Sequence, residues 1–448
     1  MLELIVKSKV NPSRVLSLES LLMCVDQFLW NFVGLTLILT VGIYLSYKSK
    51  FFQFKVLLNF RQYIKDLINC DGRDRNGVHP VKLYFASIGG TIGLGNIVAI
   101  ASTVTLGGPG SLIWIWIASI LGMLVKYSEI YLGIKYRVKN SNNSFDGGPM
   151  YYLKAAFTNR HIPVIVCLFL CLYGAEIFQF NVLTTTLQKT FGIQKYTALI
   201  LLLITVLLSS FKGVKRLADI CALLMPPFMV TYMILGVVII FDHAAILPST
   251  LKLILNSFWG AKSQVGGIAS GGFLVTAHYG LSRAVYSGDI GIGYDSIIQS
   301  ETQSQHPEKQ ARMAVFSLFT DTTICTISLL ILLVTGVWQQ DIASDDYIKT
   351  AFAMYLPKSC ADYFVAFLFI SAGFTTIVGY LVVGQKCAQF INARYGKQVY
   401  TVYAALAFTV FSFCSQDLVL TIMSISGGLL MSINIIGLVK LRKHIKFL

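Results

Sequence analysis

The residues Gly89-Gly90-Thr91-Ile92-Gly93-Leu94-Gly95-Asn96 place glycines at a density that no stable helix interior carries. Each costs a helix about 1 kcal/mol relative to alanine. Inside a bilayer, loosened backbone is tolerated only where protein buries it or a polar cavity meets it. Such a break has chemical uses. Its freed carbonyls can coordinate a hard cation such as Na+, and N–H groups at the start of a half-helix favour a carboxylate. Thr91 adds a hydroxyl and Asn96 an amide oxygen. Further along, Phe374-Thr375-Thr376 offers neighbouring hydroxyls that could complete an oxygen cage. The same hydroxyls could instead bond back to their own helix, and both uses stay open at this point.

A second stretch carries the same signature. Gly266-Gly267, Gly271-Gly272 and Ser287-Gly288-Asp289-Ile290-Gly291-Ile292-Gly293 fall in one apolar segment, with a carboxylate among them. Other polar residues also fall within apolar runs. Gln179 and Asn181 could present an amide to a cavity or bond to a neighbouring helix. Glu176, about one turn earlier, is a candidate proton carrier, because an ionisable group at membrane depth marks function by default. Asp321 fits a gate or a structural anchor. Lys126 and Glu129, three apart on one helix face, are expected to pair with each other. Arg283 and Asp289 flank the second break and could form a gate pair. His278 reads as a bonded core histidine.

The elements that must position these groups follow from composition. Of 448 residues 55% are hydrophobic and only 13% charged, about half the charged share of a soluble chain, and mean hydropathy is +0.68. The apolar residues form blocks long enough to cross a hydrocarbon core of about 30 Å. Eleven spans are expected: Trp30–Tyr47, Val81–Leu106, Leu112–Tyr136, Ile162–Leu187, Thr197–Phe211, Ala218–Phe241, Val265–Ile298, Met313–Val337, Tyr363–Cys387, Val399–Phe413 and Leu418–Val439. A basic stretch from Lys48 to Pro80 contains the aromatic-basic segment Lys48–Lys55, which reads as an interfacial helix. Gly147–Leu153 reads as a turn opening a short amphipathic helix. The net charge of +15 comes from alternate loops rather than one basic face, so it sets orientation and does not indicate nucleic acid. That parity places the N-terminus outside and the C-terminus in the cytoplasm.

If Val81–Leu106 opens one five-helix unit, the second glycine-rich segment opens another five spans later, running the opposite way. Paired broken helices in inverted repeats mark the binding sites of secondary transporters. The chain then divides into residues 1–80, a first repeat over 81–243 and a second over 244–448. Nothing in it makes an enzyme: neither Gly-x-x-x-x-Gly-Lys-[Ser/Thr] nor His-Glu-x-x-His occurs. The nine cysteines lie mostly in apolar segments without metal-ligand spacing, and no cleavable signal peptide is evident.

These motifs, in this order, resemble the alanine/glycine:cation symporters, also called sodium:alanine symporters. The likeness rests on Gly93-Leu94-Gly95-Asn96, Gly107-Gly108-Pro109-Gly110, Lys126-Tyr127-Ser128-Glu129, Phe178-Gln179-Phe180-Asn181 and Pro226-Pro227. It continues through His306-Pro307-Glu308-Lys309-Gln310, Asp321-Thr322, Thr375-Thr376-Ile377-Val378-Gly379-Tyr380 and Gly384-Gln385-Lys386-Cys387. The resemblance implies an all-α polytopic membrane protein with an extra N-terminal helix and a five-plus-five inverted repeat, as in neurotransmitter:sodium symporters. It implies uptake of a small neutral amino acid, alanine or glycine first, driven by Na+ or H+ across the inner membrane. No cofactor, nucleic acid or obligate protein partner is expected. By carry-over, Gly93, Leu94, Gly95, Asn96 and Gln179 would hold the cargo's charged ends. Tyr286, Thr376 and Tyr380 would shape its side-chain pocket. Gly89, Ile92, Thr375 and Thr376 would bind Na+. This chain departs from the family pattern where Leu94 replaces threonine, Glu176 replaces asparagine, Gly288-Asp289 replaces Asn-Glu and Tyr380 replaces tryptophan. A proton-coupled permease or exchanger, and a membrane sensor that binds amino acid without moving it, are the rival readings.

Overall fold

Apolar runs in hydrocarbon can satisfy their own N–H and C=O groups only as helices or closed barrels, and here they form helices. The computed structural model describes residues 18–68, 77–140, 144–259 and 272–447. Gly266, Gly267, Gly271 and the start of the span expected from Val265 lie outside the described residues. Among the described residues, seven helical stretches are long and apolar enough to cross a membrane: Ser20–Lys48, Ser111–Lys135, His161–Phe191, Gly213–Asp242, Pro307–Val334, Cys360–Ile391 and Gln416–Lys440. Each coincides with an expected span, although the first begins ten residues early.

In detail, α1 (Leu18–Phe28) and α2 (Leu35–Lys48) are joined through a π-helical stretch, Leu29–Gly34. Then come α3 (Pro80–Thr91), α4 (Ala99–Gly107), α5 (Ser111–Lys135), α6 (His161–Tyr173) and α7 (Ile177–Phe191). They are followed by α8 (Lys195–Ser210), α9 (Gly213–Asp242), α10 (Phe273–Gly288) and α11 (Tyr294–Gln299). The chain ends with α12 (Met313–Val334), α13 (Lys358–Ile391), α14 (Gly396–Phe411) and α15 (Gln416–Lys440). The Gly147–Leu153 turn opens a short helix, Pro149–Ala156, with Gly148 at φ +109°. A two-residue β-ladder, Val138–Lys139 with Phe145–Asp146, precedes it. Large apolar side chains such as Leu201, Leu208, Leu223, Ile234, Val399 and Leu406 stand exposed on α8, α9 and α14, as a lipid-facing surface requires.

Both glycine-dense segments are broken. α3 stops at Thr91 and helix resumes at Ala99; α10 stops at Gly288 and helix resumes at Tyr294. A third interruption separates α6 from α7 at Gly174-Ala175-Glu176, where Glu176 adopts φ +44°. The sequence expected that span unbroken. α3 packs on α9 and α13, α10 on α4 and α5, and α11 on α3 and α5, so the two breaks lie inside the bundle. Gly90 allows a close approach between the two breaks. A Cβ there would lie 2.1 Å from the Tyr294 ring, whose hydroxyl donates to the Ala86 carbonyl at 2.8 Å.

Charged side chains hold the second break. Lys126 Nζ pairs with Asp295 at 2.7 Å and donates to the Gly288 carbonyl at 2.7 Å. Glu129 accepts the Gly291 N–H at 3.0 Å. The pairing expected between Lys126 and Glu129 is therefore replaced: the break offers each a backbone partner that a helix neighbour does not. Asp289 accepts the N–H groups of Tyr294 and Asp295 at 3.2 and 2.8 Å, and the Asn434 amide donates to the carbonyls of Gly291 and Ile292. Removing one member of a buried ion pair costs about 3–5 kcal/mol, whereas removing both costs far less. Lys126→Met should therefore lower the thermal midpoint of the detergent-solubilised protein sharply. The double variant Lys126→Met/Asp295→Asn should recover most of the loss, and equal midpoints for the single and double variants would contradict the pairing.

Candidate functional site

The first break is served by uncharged groups. Gly93 N–H donates to Asn96 Oδ1 at 3.2 Å and Leu94 N–H to Gln179 Oε1 at 2.9 Å. Thr376 Oγ1 donates to the Gly89 carbonyl at 3.0 Å and to the Ala372 carbonyl at 3.0 Å. Gly89, Gly93, Gln179 and Thr376 thus meet although they come from three separate helical elements. A Cβ on Gly93 would fall 2.6 Å from both Gln179 side-chain heteroatoms and from Thr376 Oγ1. Only a glycine lets all three approach. Among the described residues the Ile92 carbonyl accepts no hydrogen bond and the Gly95 N–H donates none. Buried backbone groups are otherwise almost always paired, so the break presents unpaired groups of both kinds, the Ile92 carbonyl and the Gly95 N–H among them.

Other expected residues have different employment. Asn96 is fully buried, but its oxygen serves Gly93 N–H and its Nδ2 donates to Asp321 Oδ1 at 2.6 Å. It braces the break through both ends of its amide. Asp321 also accepts from Ser287 Oγ at 3.2 Å, which makes it an anchor between the first break and the end of α10. Thr375 bonds back to Ser371 and Ala372 and faces the Met225 sulfur at 3.5 Å, the helix-directed alternative that the sequence left open. Asn181 donates to the carbonyls of Phe411 and Cys414, so it links helices instead of facing the break. The side chain of Leu94 leaves the break and packs beside Gly373 and Leu183.

The aromatic residues assemble as a wall. Tyr286 lies against Gly95, whose Cβ would sit 2.9 Å from the ring, and its hydroxyl donates to Glu176 at 3.2 Å. Tyr380 stacks near Tyr294 and Tyr173, at centroid distances of 4.5 and 5.4 Å, and its hydroxyl donates to Asp289. Tyr380 therefore packs against the second break. Glu176 is buried, with no cationic partner within ion-pair distance among the described residues. Sequence reasoning overlooked Tyr173 and Tyr294, which look like ordinary core tyrosines in an apolar run. It also missed the third break, for which Gly174-Ala175 was a signal too weak to single out.

Above Tyr286 a cavity of about 370 Å³ opens on the face where α15 begins, lined in part by Asp26, Ser102, His278, Arg283 and Asp417. His278 Nε2 meets Asp26 at 3.1 Å, and Ser424 Oγ donates to the other Asp26 oxygen at 2.6 Å. Arg283 and Asp289 form no gate pair: Asp289 caps α11, while Arg283 Nε donates to Thr103 Oγ1 at 2.9 Å. On the opposite face Lys386 pairs with Asp146 at 2.7 Å and with Glu301, and Arg137 donates to the carbonyls of Ser300 and Thr302 at 2.8 Å.

Broken helices buried in a helical bundle define a membrane transporter, and solved structures share this fold. A nucleobase-cation-symport-1 family transporter, in a closed conformation with bromovinylhydantoin bound, aligns with a TM-score of 0.53 at 12% identity, over 75% of this chain and 72% of the other. A Na+-coupled sialic acid symporter in a substrate-bound outward-open state aligns with a TM-score of 0.53 at 14% identity, over 90% of this chain and 80% of the other. The chain belongs to the sodium:alanine symporter family, which it matches over residues 15–447. It is 30% identical to an uncharacterized transporter of Haemophilus influenzae, over 96% of this chain and 95% of that one. It is 25% identical to the sodium/alanine symporter AgcS of Methanococcus maripaludis, over 94% of each. It is 28% identical to the "Probable sodium/glutamine symporter GlnT" of Bacillus subtilis, over 95% of this chain and 89% of that one. The family and these neighbours are transporters, not enzymes, and the chain is a multi-pass membrane protein.

The convergence on Gly93 gives a sharp expectation. Gly93→Ala should lower transport by at least about 100-fold, the equivalent of about 2.7 kcal/mol, with the protein still folded by size-exclusion chromatography. Gly272→Ala, where a Cβ meets nothing within 4 Å, should transport normally. Comparable rates in the two variants would mean that Gln179 and Thr376 do not need to meet at the first break.

Proposed function

We propose that this chain is a secondary active symporter that imports a small neutral amino acid, alanine or glycine first, together with Na+. The observation that carries the reading is the convergence of Gly89, Gly93, Gln179 and Thr376 beside a free Ile92 carbonyl and a free Gly95 N–H. Neutral oxygens suit a hard cation, and an open N–H at a helix break suits a carboxylate. Family membership and the named sodium/alanine relative support the same cargo and ion.

In this reading the carbonyls of Gly89 and Ile92 and the Thr376 hydroxyl hold Na+. Thr375 joins them by giving up its bond to Ser371. The backbone of Gly93, Leu94 and Gly95, with Gln179, receives the cargo's charged ends. Asn96 fixes the shape of that backbone, and Tyr286, Thr376 and Tyr380 bound the cargo's side chain. Eleven spans, an N-terminal helix followed by inverted repeats over 81–243 and 244–448, an N-terminus outside and a C-terminus in the cytoplasm complete the proposal. The cation ties α3 to α13; cargo completes closure, and the helix units rock to open the other face. A second reading has one specific support: Glu176, buried beside Tyr286 without a cation, could carry a proton. The coupling would then be to H+.

Uptake of labelled alanine and glycine into proteoliposomes separates these readings. Under an inward Na+ gradient the chain should concentrate one of them, and an inward H+ gradient alone should not suffice. Uptake driven only by H+ and abolished in Glu176→Gln would transfer the coupling role to that carboxylate. Binding without uptake under either gradient would make the chain a sensor. Within the Na+ reading, Thr376→Ala should raise the half-saturating Na+ concentration about tenfold, near 1.4 kcal/mol, and Thr375→Ala by less. Unchanged Na+ activation in Thr376→Ala would refute the cage.

A further inference from the structure

Arg283 is only 5% exposed, yet it has no acidic partner among the described residues. Its Nε donates to Thr103 Oγ1 and its guanidinium lies 5.6 Å from the centre of the Tyr286 ring. The remaining N–H donors of this planar fork meet no protein acceptor among the described residues. The carboxylates nearby are otherwise engaged or too far. Asp26 serves His278 and Ser424, Asp289 caps α11, and Asp417, exposed at the start of α15, does not come within ion-pair distance. A buried arginine without a counter-charge is costly in a membrane protein and marks a place where an anion comes and goes. Arg283 also lines the cavity of about 370 Å³ whose boundary includes Tyr286. That same ring touches Gly95 in the first break. One aromatic side chain therefore neighbours both an open guanidinium fork and the glycine whose N–H is free.

We propose that Arg283 and the cavity above Tyr286 form an outer capture site for the carboxylate of the cargo, occupied before the cargo reaches the first break. This rests on the amino-acid reading above. A guanidinium fork matches a carboxylate with two parallel hydrogen bonds, which an ammonium or an amide cannot reproduce. Rotation of Tyr286 then connects the cavity to Gly95, whose N–H takes over the carboxylate. The site raises the local concentration of cargo on one face of the membrane and does no part of the coupling, which stays at Thr376 and Gly89.

The test is initial-rate uptake by right-side-out vesicles carrying the full chain, first against a panel of labelled neutral amino acids. With the transported member of the panel, Arg283→Gln should raise KM about tenfold and leave kcat within about twofold, the split expected when binding alone is lost. Arg283→Lys, which keeps the charge but not the fork, should fall between. The cargo's des-amino analogue, a carboxylate without an amine, should compete with uptake in the wild type and lose that competition in Arg283→Gln. Asp219→Asn, at an exposed carboxylate outside the cavity, should behave as wild type. An unchanged KM in Arg283→Gln overturns the capture site while the amino-acid reading stands. So does a parallel loss of kcat in both arginine variants, which would mark a structural role. An Asp417→Asn variant that copies Arg283→Gln overturns it in favour of a gate within the protein. Uptake that fails when gluconate replaces chloride overturns it in favour of a halide at the fork. A wild type that moves no amino acid overturns both readings.

Discussion

A backbone amide or carbonyl in hydrocarbon has no water to turn to, and every departure from helix has to be matched by another polar group. That constraint organises this molecule. At the second break the partners are charged: Lys126, Glu129 and Asp289 reach Gly288, Gly291, Tyr294 and Asp295. At the first break the partners are neutral: Asn96, Gln179 and Thr376. Two segments that look alike in sequence are therefore built for different duties. A break locked by ion pairs is rigid and has little to offer a ligand. A break held by single amide and hydroxyl bonds can exchange them, and it keeps a free carbonyl at Ile92 and a free N–H at Gly95.

The same constraint explains why several polar residues are structural. Asn96 and Asp321 tie the first break to α12, and Ser287 brings the end of α10 to the same carboxylate. The residue chain Gly93–Asn96–Asp321–Ser287 thus joins both broken segments through one buried carboxylate. Tyr380 makes a second link, from α13 to Asp289. A change of shape at one break cannot leave the other untouched, which is what alternating access demands of a fold that moves as packed units.

Much of this was legible in the sequence, for physical reasons that can be named. Glycine density marks a loosened helix because propensity acts locally, so both breaks were visible, as were the long apolar spans. Gln179 and Thr376 were found because polar side chains at membrane depth are rare enough to stand out. What a sequence cannot show is which polar atom faces which. Lys126 and Glu129 satisfied a helix-spacing rule and still chose other partners, since a freed carbonyl and a freed N–H on α10 and the loop after it lay within reach. Thr375 and Thr376 differ by 100° around one helix and, although both bond the Ala372 carbonyl, by the further partner each hydroxyl finds: the Met225 sulfur for one, the Gly89 carbonyl for the other. The break at Glu176 was hidden because one glycine and one alanine look like ordinary membrane helix.

The distribution of charge across the bundle gives the arrangement its direction. Lys386, Asp146 and Glu301 meet in ion pairs on one face, so the charges there are matched within the protein. On the other face Asp26 is tied to His278, while Arg283 keeps its fork free above Tyr286. Between them the first break carries almost no net charge, apart from Asp321 held by Asn96 and Ser287. An amino-acid zwitterion brings no net charge to such a site, whereas Na+ brings one that neutral carbonyls and hydroxyls can share. Glu176 is the exception, a carboxylate at the edge of the break without a cation. Because a buried carboxylate must be matched by a proton or by a positive group, the protonation of that one side chain is the point on which the proposed Na+ and H+ readings part.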